Sequence, residues 1–183
     1  MPKGYSLLTK VKGAVQNTGK AAPHDTTFAV PSAPDTFCQV FDYSNVLEAT
    51  GINTATFAQT AYGNAGDSAE IDQSINVFTG NDAQTAMQKL WAAFGECNTM
   101  DVNGTKSVNA LQRGKIPGVG DEAIAATLQS WMTGNGGGTT FVAVRVGNAI
   151  VTVVDFSPGM DLGNGARGYA RQLTARLNSA LTG

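Results

Sequence analysis

Residues 139–146 read TTFVAVRV, residues 147–148 read GN and residues 149–156 read AIVTVVDF, and this stretch decides the fold. Two runs rich in β-branched residues meet at two residues that accept positive φ, the signature of a tight antiparallel hairpin. A turn at Gly147-Asn148 sets Val146 against Ala149, Val144 against Val151 and Val142 against Val153. Strand side chains alternate, so these six share one face. That face is expected to be the core, beneath the helices.

The other face of the hairpin is not polar. With its neighbouring strand it carries Trp131, Phe141, Arg145, Ile150, Thr152, Val154 and Phe156, whereas a sheet with one solvated face shows a cleaner alternation. Either the long N-terminal segment or a loop covers these residues, or they line a groove for a ligand or partner. Trp131, Phe141, Arg145, Ile150 and Val154 are therefore the candidate ligand-binding residues. For the run Glu122 to Met132, putting Ile124, Ala126, Leu128 and Met132 on the Val face requires Met132 opposite Thr140. A slip of one residue would bring Thr127, Gln129 and Trp131 into the core instead. In the chosen register Trp131 faces Phe141.

Outward from the hairpin, Ala166, Tyr169, Ala170, Leu173, Leu177, Ala180 and Leu181 recur at helical spacing. Arg167 and Arg171 share the exposed side, where they either meet solvent or hold a phosphate or carboxylate. Upstream, residues 55–63 (ATFAQTAYG) and 68–78 (SAEIDQSINVF) form a second hairpin about the turn Asn64 to Asp67. In its second strand Ala69, Ile71, Ile75 and Val77 alternate with Glu70, Asp72, Ser74 and Asn76, which predicts a half-buried strand with the polar set outside. Asn81 or Asp82 caps a helix whose face is Ala83, Ala86, Met87, Leu90, Trp91, Phe94 and Cys97. Residues 99–112 read as a hairpin turning at Asn103-Gly104, and Pro117 to Asp121 as a rigid turn. Residues 1–9 contain a short strand. Residues 10–34 carry three of the prolines and no sustained period, so residues 1–34 are expected to run as an extended segment packed on one domain spanning residues 1–183. A short strand is placed near Thr27 to Val30, and a short helix follows from Pro34.

A length of 183 residues suits one domain. A net charge of -2 and a pI near 5.2 give no electrostatic footprint for nucleic acid. No apolar run approaches the roughly 20 residues of a membrane span, and no secretory signal is visible within these residues, so membrane contact is expected only through a segment outside this chain. Cys38 and Cys97 are too far apart in sequence for a zinc motif. They are either two buried thiols or one disulfide; the second is favoured because both lie near ends of helical segments that can meet. Closing that loop would contribute roughly 4 kcal/mol and implies an oxidising compartment.

The chemistry-bearing motifs are sparse. His24 sits beside Pro23 and Asp25 in a polar loop, the setting of a solvated turn residue. There is no G-x-S-x-G, H-E-x-x-H, phosphate loop or dinucleotide fingerprint. No catalytic residue, metal or cofactor is assigned, and a hydrolase ranks last among the functional readings.

The ordered set of PKGYS (2–6), FCQVFD (37–42), LWAAFGEC (90–97), IPGVGDEAIA (116–125), FVAVRVGNAIVTV (141–153) and GYARQLTARL (168–177) resembles the actinobacterial PknH-like extracellular sensor domain family. The resemblance implies an α+β fold: a single antiparallel sheet of about six to seven strands, packed on one face by two principal helices, with a groove. It also implies an extracytoplasmic place, secreted or membrane-anchored. Kinase-attached members carry four cysteines, so the two here point to a stand-alone lipoprotein or secreted relative. The function so implied is a non-catalytic sensor or small-ligand-binding domain whose partner is an unidentified small molecule. The alternative is a cell-envelope interaction module, meeting an envelope protein or its own copy.

Overall fold

The structure is a computed structural model that describes residues 5–7, 17–19, 47, 50–64, 70–96, 100–102, 105–107, 112–130, 137–156 and 164–182. In chain order the strands are β1 (Tyr5–Leu7), β2 (Asn17–Gly19), β3 (Thr56–Asn64) and β4 (Glu70–Val77), followed by helix α1 (Asp82–Glu96). Then come β5 (Met100–Val102), β6 (Thr105–Ser107), β7 (Gln112–Lys115), β8 (Glu122–Ser130), β9 (Gly137–Val146), β10 (Ala149–Asp155) and helix α2 (Asn164–Thr182). The expected strand near residues 27–30, the helix from Pro34, His24, Cys38, Cys97 and Trp131 lie outside the described residues.

The main sheet is antiparallel in the order β1-β3-β4-β10-β9-β8-β7, with β2 also paired to β3. Its body is the six strands from β3 to β7, in keeping with the expected α+β class; the three-residue strands β1 and β2 extend the β3 side. The hairpin β9–β10 has the register read from the sequence, Val146 opposite Ala149, Val144 opposite Val151 and Val142 opposite Val153. Gly147 takes φ 56° at the turn. The small hairpin β5–β6 pairs Val102 with Thr105 across Asn103-Gly104 as expected.

The two helices lie on opposite faces of the sheet, not on one. The Val layer (Val142, Val144, Val151, Val153) joins Ile71, Ala123, Ala125, Ala166 and Ala170 in a cluster beneath α2. On the reverse face, Ile124, Ala126, Phe141, Ala143, Ile150 and Val154 join Ala83, Ala86, Met87, Leu90 and Phe94 of α1, with Leu47 and Phe78. Every residue of β10 is buried as a result. A strand covered on both faces reads as a continuous apolar run, which is why AIVTVVD looked too apolar for a half-exposed sheet.

Double coverage also overturns the register expected for β8. Thr140 pairs with Thr127, not with Met132. The displacement is five positions (132 − 127), an odd number, so the faces exchange: Ala123 and Ala125 join the Val layer while Ile124 and Ala126 face α1. Burial of Ile124 was a valid criterion applied to a sheet wrongly taken to have one buried face. Phe141 faces Ala126 across the strands, so the expected Trp131–Phe141 pairing is also corrected.

Helix α1 begins where its sequence can end a turn. Gly80 takes φ 52°, the Asn81 carbonyl accepts the Thr85 N–H at 3.1 Å, and Asp82 places a carboxylate in the first turn, where the helix dipole favours it. Lys89 ties the outer side of α1 down by donating to the Thr50 carbonyl at 2.8 Å.

Candidate functional site

Three of the candidate ligand-binding residues are core residues. Phe141 and Ile150 are 0% exposed and Val154 1%, all beneath α1, and Phe141 meets Phe94 edge to face with ring centroids 5.4 Å apart. The cover for this face is therefore α1, with Leu47 and Phe78. Partly buried Trp91 packs against the same cluster, and Lys115 Nζ sits 5.9 Å from its ring centroid.

Arg145 lies at the rim. It is opposite Ile150 and Glu122, and its NH1 donates to Asp121 Oδ2 at 3.0 Å and to the Gly147 carbonyl at 3.3 Å. The same Asp121 oxygen accepts the Gly147 N–H at 2.7 Å, while the Asp121 N–H donates to the Arg145 carbonyl at 2.8 Å. Glu122 adds a looser ion pair to Arg145 Nε at 3.9 Å. These contacts lock the β9–β10 turn onto the Pro117–Asp121 loop. Their closeness depends on Gly120, with φ 59° and so little room that a Cβ there would lie 2.5 Å from the Arg145 carbonyl oxygen and 2.6 Å from Val144 Cγ1. Arg145 thus acts as a structural clasp through its NH1, while its Nε makes no hydrogen bond among the described residues.

The polar set on β4 lies inside, reversing the expectation that it faces solvent. Asp72 is 7% exposed, Ser74 8% and Asn76 2%, while Ile75 and Val77 on the alternate side are only half-buried. Register places Asp72, Ser74 and Asn76 beside Val154, Thr152 and Ile150 of β10 on one side and beside Ala61, Gln59 and Phe57 of β3 on the other. Ser74 Oγ and Thr152 Oγ1 share a hydrogen bond of 2.5 Å, and Asn76 Nδ2 donates to Ser74 Oγ at 2.7 Å. Hydroxyl, hydroxyl and amide form a seam on the α1 face of the sheet where it passes from β10 to β4. Burying such groups is tolerable because they satisfy one another. Among the described residues, the partners of Ser74 Oγ are Thr152 and Asn76. Sequence reasoning missed the seam, although Thr152 was a signal: a polar residue midway along a strand otherwise fit for full burial.

The face beneath α2 has its own polar pair, Thr127 and Thr140, whose hydroxyls are 3.2 Å apart. Thr174 of α2 is 3% exposed, and its Oγ1 has no hydrogen-bond partner among the described residues. Arg167, on one helical face with it, is half-buried with an Nε that has no partner among the described residues, and Arg171 is exposed. Among the described residues no group of three or more His, Cys, Asp or Glu side chains is placed to hold a metal ion. None of the described helices is long and apolar enough to cross a membrane.

No family model matches the chain, and no curated protein matches it in sequence. Among solved structures it is similar to the extracellular domain of PknH from Mycobacterium tuberculosis, with a TM-score of 0.54 and 14% identity, covering 74% of this chain and 70% of that one. At that identity the likeness establishes a distant relationship of fold. It agrees with the α+β class the sequence motifs implied.

Proposed function

We propose that this chain is an extracytoplasmic sensor-like domain that acts by binding a small ligand and performs no catalysis. The observation that carries the reading is the shared fold: the neighbour is itself an extracellular domain, and the likeness spans 74% of this chain. The weakly charged composition, with 14% Asp, Glu, Lys and Arg, supports a module that meets neutral or modestly charged partners over one that tracks nucleic acid. Because Phe141, Ile150 and Val154 are held in the core, recognition falls to the rim of the sheet and the outer faces of the helices.

The test is an NMR titration of the isotope-labelled protein with a panel of neutral sugars, amino acids and short peptides, each compound being assayed afterwards for chemical change. The proposal predicts saturable shifts with at least one compound and its recovery unaltered. Conversion of a bound compound to product would replace the sensor reading with an enzymatic one.

A further inference from the structure

We draw no further inference here: the strongest candidate, the half-open face of β3 and β4 on the α2 side of the sheet, where half-buried Ile75 lies beside exposed Ala58, carries none because nothing among the described residues shows what covers it.

Discussion

The Ser74–Thr152 hydrogen bond and the tight approach at Gly120 show how much depends on single side chains. Gly120 combines a left-handed φ with a carbonyl at contact distance, so Gly120→Ala should destabilise the protein by about 2–4 kcal/mol through backbone strain and overpacking together. Urea unfolding measures it; a loss below about 0.5 kcal/mol would mean that the loop relaxes freely. For the seam, Thr152→Val leaves Ser74 with one partner fewer in a buried place and should cost about 1–3 kcal/mol. The Ser74→Ala, Thr152→Val double variant should lose less than the sum of the two singles, with a coupling of at least about 0.5 kcal/mol. Additive losses would show that the two hydroxyls do not act as a pair. Of these features, the sequence displayed the tight Gly-Val-Gly turn but not what pressed against it, because proximity to Arg145 is a matter of tertiary structure. Likewise, Asp72, Ser74 and Asn76 looked like a solvated edge: periodicity reports which residues share a face and leaves open which face is covered.

At the level of elements, local patterns carried far. The register of β9–β10 followed from a two-residue turn, and the face of α1 from its spacing, since both depend on neighbours in sequence. The register of β8 did not follow. A six-residue connection, 131–136, separates it from β9, and two buried faces remove the contrast that would choose between registers. The α2 stripe was legible to Leu177 but not to its end, where Leu181 is 65% exposed. The two ends of the apolar inventory should therefore respond very differently to substitution. Phe94→Ala empties the packing between α1 and Phe141 and should cost about 3–5 kcal/mol. Leu181→Ser should stay within about 0.5 kcal/mol of the parent. Chemical denaturation of both variants checks the pair, and a large loss for Leu181→Ser would reveal that its side chain is covered in solution.

For the whole molecule, the α+β class and its antiparallel sheet were readable from alternating runs and turns. The distribution of helices over the two faces was not, because a helix announces that it has an apolar side without saying which side of a sheet receives it. That distribution changes where function can lie. A groove across Phe141, Ile150 and Val154 gives way to a three-layer body in which that face is covered by α1. The central claim is the proposed placement of this domain outside the membrane. It is tested most directly by expressing the domain within its native gene product, with alkaline phosphatase or β-galactosidase fused after Gly183. Alkaline phosphatase requires the oxidising exterior for its disulfides, so the account predicts an active phosphatase fusion and an inactive galactosidase fusion; the reverse pattern would contradict it.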